Sequence, residues 1–244
     1  MIDFNDVQKR LNSLAKRWAS LPYTSCGVTF ELQSPVVFTD FLYGDGILSY
    51  AVVLEALGDD IHNLPDIRNK LFDIPLPLEM RGKKLKYPAM SVGFLGSGVD
   101  GITRWRKKWD EVDDDRADFG TKKQQVIKGG GAYKMYDMPV RYVSVKSVKF
   151  HCCGNIDIIS TLMKKITAIG KKRSQGYGAV RKVVVKAEAK DFSCVKDGFV
   201  TRPIPITESK PKWKGEKRFC AYKPPYWLPD NMAECILPRE GFME

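Results

Sequence analysis

A strand followed by a helix at residues 27–57, and a helix followed by a strand at residues 156–187 with a glycine-rich loop between them, predict an α+β fold. Two helices covering one face of an antiparallel sheet is the ferredoxin-like plan, and it leaves the other face open to bind something. With 244 residues, one elaborate domain can bury a sizeable core, and the 43% hydrophobic content makes the whole chain a folding one.

The chain opens on an amphipathic helix, from Asn5 to Ser20, in which Val7, Leu11, Leu14 and Trp18 recur at three- and four-residue steps. Its apolar stripe must be buried on this domain or on a neighbouring subunit. Leu21-Pro22 stops it. Residues 27–32 alternate as a strand, Ser34-Pro35 ends that strand, and residues 46–57 (GILSYAVVLEAL) form an apolar helix stopped by Gly58. The middle of the chain carries strand-like runs at 87–94, 103–109, 124–127 and 141–150, with glycine-rich breaks and an acidic cluster at 111–118 read as a solvated turn. Residues 156–169 carry a helical stripe through Ile159, Leu162, Met163, Ile166 and Ile169, and residues 179–187 are a valine-rich strand. From Arg202 to Pro229 six prolines alternate with Trp213, Phe219, Tyr222, Tyr226 and Trp227. This reads as an ordered strap whose rings are buried. The expected organisation is an N-terminal helix over residues 1–22, a ferredoxin-like domain over 23–201 with a basic hairpin insertion around 100–136, and the strap over 202–244 packed on that same domain.

Formal net charge is +11, and it is concentrated: residues 164–190 hold nine cations against the single acid Glu188, a net +8. Such a cluster is what a surface tracking phosphates requires. Within it lies Ile169-Gly-Lys-Lys-Arg-Ser-Gln-Gly-Tyr-Gly178. Neither a Walker loop nor a dinucleotide fingerprint fits, because both place the phosphate at the N-terminus of a following helix, whereas here a strand follows. The remaining mechanism is a concave run of backbone N–H groups bared by Gly170, Gly176 and Gly178. Lys171, Lys172 and Arg173 supply the attraction, Ser174 and Gln175 complete the bend, and Tyr177 offers a ring for a base. Gly170 also suits a plain helix stop. A second basic region, Arg104, Arg106, Lys107 and Lys108 facing Lys122, Lys123 and Lys128, is either a thumb gripping a nucleic-acid strand or a hairpin whose charges protect its edges.

Other chemistries find little support. Six cysteines occur without a C-x-x-C pair or a secretory signal, as expected of reduced cytoplasmic thiols, and His151, Cys152 and Cys153 alternate across a strand and cannot all reach one metal. No metal, cofactor or membrane span is expected. His62 and His151 are the available histidines; His62 sits in the loop DDIHNLP, and His151 closes a strand and is expected to be packed.

The order of these elements is similar to that of the RAMP proteins of CRISPR systems, whose ferredoxin-like (RRM-like) fold carries a glycine-rich loop after its last helix. Ser34-Pro-Val-Val37 with Asp45-Gly-Ile-Leu-Ser-Tyr-Ala-Val-Val53, the loop at 170–178, and Pro224-Pro-Tyr-Trp227 with Cys235 and Pro238 together resemble the handle-capping (Cas-five-type) subunit of the Csf group in type IV effector complexes. The resemblance implies a non-catalytic subunit that binds the 5′ handle of the guide RNA (crRNA). It implies partners too: backbone RAMP subunits, which this subunit caps, and a large subunit, with target DNA nearby. The added N-terminal helix departs from the family pattern. A different class, the RAMP endoribonucleases that process guide precursors without metal, stands as the alternative; these need a general base near the ribose 2′-hydroxyl.

Overall fold

The computed structural model describes residues 2–64, 71–110, 112, 129–131 and 134–239. The chain begins with α1 (Phe4–Trp18), β1 (Thr24–Leu32) and α2 (Gly44–Leu57), and short strands β2 (Met80–Arg81), β3 (Tyr87–Pro88) and β4 (Phe94–Leu95) follow. Next come the long hairpin strands β5 (Gly98–Lys107) and β6 (Tyr136–Val145), then β7 (Ser147–Gly154), α3 (Ile156–Met163) and β8 (Val180–Ala187). The C-terminal part consists of β9 (Val195–Lys196), β10 (Phe199–Val200), β11 (Ile204–Pro205), β12 (Glu216–Ala221) and β13 (Met232–Leu237).

Strands β4, β7, β1 and β8 make one sheet in that order, every neighbouring pair antiparallel. Its register places Cys26 opposite Cys152, Val28 opposite Phe150 and Phe30 opposite Val148, so alternate residues of both strands face one core. Phe30 and Phe150 meet there edge to face at 5.8 Å. Leu48, Ala51 and Val52 of α2 and Ile159, Leu162 and Met163 of α3 close that face. Val7, Leu11, Leu14 and Trp18 of α1 join the same core, so the N-terminal helix finds its partner on this domain. Asp3 caps α1 by accepting the N–H of Asn5, and Lys16 and Arg17 sit in its last turn, where the helix dipole favours cations.

Three expected elements differ. The second helix ends at Met163, not near Ile169. The chain tightens there, with Lys165 and Ile166 donating three residues back to Leu162 and Met163, and then runs extended, Ile169 donating to Gly178 and Val180 to Thr167. Ile166 and Ile169 still reach the core, but from extended backbone, which a helical stripe also mimics. The run at 87–94 splits into β3 and β4, because Pro88 has no N–H and Val92 and Gly93 donate elsewhere, to Thr201 and Leu42. The run at 141–150 breaks at Lys146, so that β6 belongs to the hairpin and β7 to the sheet.

The strap is a small unit with its own sheet, β11-β13-β12, and its own core of Tyr87, Ala89, Val200, Ile204, Tyr222, Cys235 and Ile236. Tyr222 is buried, but Phe219 and Trp227 are 69% and 60% exposed, contrary to the expectation that the strap's rings are covered. Phe219 lies on β12, an edge strand of that sheet, and Trp227 on the turn before β13. Arg202 joins this unit to the main core. It is wholly buried, donates to Asp45 at 3.2 Å, to the carbonyls of Met90 and Tyr222 at 2.9 and 2.5 Å, and to that of Pro88. Asp45 takes a further bond of 2.6 Å from the Tyr226 hydroxyl, and Tyr226 stacks on Tyr43 at 3.8 Å.

The sheet face opposite the helices is not wholly open. His151 is buried there between the rings of Phe94 and Phe192, with Nδ1 2.7 Å from Glu188, which also pairs with Lys149 at 3.0 Å. Gly27 makes the room, since an added Cβ would lie 2.7 Å from the Glu188 carboxylate.

Replacing Arg202 with Met leaves the Asp45 carboxylate buried without its cation, so unfolding in urea is expected to show a loss of about 3–5 kcal/mol. Adding Asp45→Asn to that variant recovers part of the loss. A second expectation concerns pH: burial lowers the His151 pKa, although Glu188 opposes this and Lys149 and Lys196 reinforce it. The unfolded chain therefore takes up this proton before the folded one as pH falls. The contribution of His151 is complete above about pH 6.5 and is lost as pH drops from there through its folded pKa. Wild-type stability should thus fall more steeply below that pH than the stability of His151→Gln, measured by urea midpoints across a pH series.

Candidate nucleic-acid interface

The loop at 170–178 is shaped by backbone conformations that side chains rarely adopt. Gly170, Gly176 and Gly178 have φ of 82°, 86° and 66°, and Lys172 is left-handed as well, with φ of 59°. Two of the glycines also answer to close packing. A Cβ on Gly178 would lie 1.9 Å from the Ile169 carbonyl oxygen, and one on Gly170 2.5 Å from that of Val37, whereas Gly176 faces open space. The segment Ser34-Pro-Val-Val37 is the template: Lys171 donates to Val37 at 2.6 Å, Gly178 to Pro35 at 2.7 Å, and Ala179 to the Ser34 hydroxyl at 2.8 Å.

The expected run of N–H groups bared by the glycines is therefore mostly occupied. Gly176 and Gly178 donate to Arg173 and Pro35, so these glycines serve the shape of the bend. Lys172, Arg173 and Ser174, at the tip, donate to no backbone carbonyl among the described residues. Gly170 is no helix stop, since α3 ends six residues earlier at its cap, Lys164.

The side chains of the loop point two ways. Toward the hairpin, the Lys172 ammonium sits 2.9 Å over the Trp105 ring, and Tyr177 lies 6.3 Å from Tyr142. Away from it, Arg173 stacks 5.1 Å from the Tyr50 ring of α2, while Lys171, Ser174 and Gln175 are exposed. Among the described residues no carboxylate pairs with Lys171, Lys172 or Arg173.

The hairpin pairs from Gly98 with Val145 to Lys107 with Tyr136. Trp105 and Lys107 share the face that meets the loop; Arg104 and Arg106 project from the other and converge on Asp137, at 2.7 and 3.2 Å. Lys108 lies beyond β5 and pairs with Asp110 at 2.5 Å. The structure thus brings the loop to Trp105 and Tyr142, and turns Arg104 away from it. Lys122 and Lys123, the strand expected at 124–127 and Lys128 lie outside the described residues.

A groove of about 870 Å³ was not foreseen from the sequence. Gly170, Lys171 and Arg173 form one wall, Tyr43 just before α2 and Tyr50 within it a second, and Arg218, Phe219 and Trp227 of the strap the third. The Pro224-Pro-Tyr-Trp227 stretch was its signal, masked by the rule that large rings are buried. Neither histidine lines it: His62 is exposed on the turn after α2, and His151 is enclosed.

Among solved structures the chain is similar to one in the cryo-EM structure of the Type III-B Cmr-beta complex bound to cognate target RNA. The two share 12% identity and a TM-score of 0.35 over 76% of this chain and 68% of that one, too slight a likeness to assign residues. No curated protein matches the sequence. The family model of the CRISPR type IV associated protein Csf3 matches residues 100–238, which hold the hairpin, the glycine-rich loop and most of the strap and make up more than half of the chain, so the protein belongs to that family.

Proposed function

We propose that this chain is the non-catalytic, RNA-holding subunit of a type IV CRISPR ribonucleoprotein, gripping the 5′ handle of the guide RNA and capping the filament of backbone subunits. Family membership makes it a component of type IV CRISPR systems. The sheet order β4-β7-β1-β8, with α2 between its first and second strands in the chain and α3 between its third and fourth, agrees with the ferredoxin-like RAMP plan.

One observation carries the reading: three cations, Lys171, Lys172 and Arg173, stand on a bend whose backbone is pinned to Pro35 and Val37 and whose own carboxylate partners are absent among the described residues. A rigid, uncompensated positive bend loses little entropy on binding and keeps its charge for phosphate oxygens. Single-stranded backbone is tracked in this way, and rings beside it take the bases. The processing alternative lacks a comparable anchor. His151, the histidine that holds a carboxylate, is 2% exposed and closed off from any ribose, and His62 stands on a solvent-exposed turn away from the groove.

Replacing Lys171, Lys172 and Arg173 with Ala should weaken guide-RNA binding and flatten the dependence of log affinity on log salt by about 0.7 for each phosphate no longer neutralised. Gly176→Asp should weaken binding more than Gly176→Asn, which brings the same left-handed strain at φ 86° without the charge; unchanged affinity and slope in the triple-alanine and Asp variants would falsify the assignment. Labelled repeat RNA incubated with the purified protein in EDTA is expected to stay uncut, while site-specific fragments would favour the processing reading.

A further inference from the structure

The groove between the loop and the strap is bounded by aromatic rings on a concave, positively charged surface, and its construction points to a ligand. Phe219 and Trp227 are the two most exposed rings among the described residues, and Tyr50 across from them is 40% exposed. Leaving three such rings facing water around one cavity is unfavourable unless something covers them. They are also held in place. Tyr226, next to Trp227, is fixed by its bond to Asp45 and its stack on Tyr43. The turn carrying Trp227 is closed by Leu228 and by the buried Asn231 side chain, both donating to the Pro225 carbonyl at 3.1 and 3.2 Å. The charges fit one class of occupant: Lys171 and Arg173 stand on one wall and Arg218, which shares Glu216 at 3.3 Å, on the other, against Asp40 as the carboxylate of the lining.

We propose that this groove binds unpaired nucleobases of RNA, which stack on Trp227 and Phe219 while Lys171, Arg173 and Arg218 neutralise the phosphates on either side. This rests on the reading that the loop holds RNA, and extends it to a site built largely by the C-terminal strap. Flat rings accept any base face, and cations at both walls let the backbone enter and leave along the groove. An apolar protein segment would satisfy the rings equally well but would bury Lys171 and Arg173, which have no carboxylate partner among the described residues, and phosphates remove that cost.

The test uses the full chain and a short single-stranded RNA carrying a fluorescent purine analogue at successive positions. Binding should quench the analogue at one or two adjacent positions. Phe219→Ala and Trp227→Ala should each lower affinity by about tenfold, and Trp227→Ala should abolish the quench. Both side chains are exposed, so thermal melting should be unchanged in these variants. If the ring variants bind as tightly as wild type and the quench persists, while the Lys171, Lys172 and Arg173 variant binds weakly, the groove proposal fails and the loop reading survives. If the ring variants weaken binding and the loop variant does not, stacking of bases on the rings stands, while the phosphate role given to Lys171 and Arg173 is overturned together with the loop reading. If the ring variants lose a protein subunit on co-purification with RNA affinity unchanged, the groove is a protein-docking surface and the proposal is overturned.

Discussion

Arg202 is the constraint on which the arrangement of the two cores depends. A wholly buried guanidinium is tolerated because every direction it points in holds an oxygen: Asp45, and the carbonyls of Pro88, Met90 and Tyr222. Burial opposes its charge, yet Asp45 and the surrounding groups outweigh that and raise its pKa above the ordinary arginine value. A buried pair of this kind adds little net stability over an apolar replacement of similar shape. What it adds is geometry, since four bonds in fixed directions allow one seating of the strap against α2. Asp45 suits the role twice over, because it sits in the first turn of α2, where the helix dipole favours a negative charge. Its second oxygen then fixes Tyr226 and so the turn that presents Trp227.

From that seating the groove follows. Its three walls belong to parts of the chain far apart in sequence, and the spacing between them is set where they meet: α2 against the strap through Asp45 and Arg202, and the loop against the segment at Val36 and Val37. Val36 is shared. It exchanges both backbone bonds with Val143 of the hairpin at 2.9 Å, and its neighbour Val37 accepts from Lys171 of the loop. One extended segment therefore aligns hairpin and loop, which explains how Lys172 reaches Trp105 while Lys171 and Arg173 face the groove. Gly170 and Gly178 allow this close approach of backbones, and any side chain there would push the walls apart.

Much of the framework was legible because it obeys local periodicity. The stripe Val7, Leu11, Leu14, Trp18 repeats at helical steps and buries as one face, and the alternation through Cys26, Val28 and Phe30 buries as one side of a strand. Where periodicity was ambiguous the reading failed. Ile166 and Ile169 stand at a helical interval, yet Thr167 and Ile169 bond to residues 178–180 across the loop, and Ile166 lies in the tightened turn that ends α3. The groove was hidden for a related reason: Trp227 and Tyr226 are adjacent and chemically alike, but only tertiary contact decides that one is pinned to Asp45 and the other left in solvent. Arg202, in the stretch Thr-Arg-Pro-Ile-Pro, has the composition of a surface loop, and no local signal marks it as buried.

Charge shows the same limit in another form. The sequence carries a net +11, and the cations of the hairpin and of the loop look interchangeable when counted. In the fold they are not. Arg104 and Arg106 converge on one carboxylate, Asp137, and Lys108 pairs with Asp110, so the hairpin offers less free positive charge than its composition suggests. The loop cations keep theirs, because the backbone that carries them is held by carbonyl oxygens of Pro35 and Val37 and not by acidic side chains. The general excess of charge acts at long range, drawing a polyanion toward the surface, and contact is left to the few cations that the backbone presents without carboxylate partners. Those few flank the exposed rings, so attraction and stacking converge on one stretch of surface.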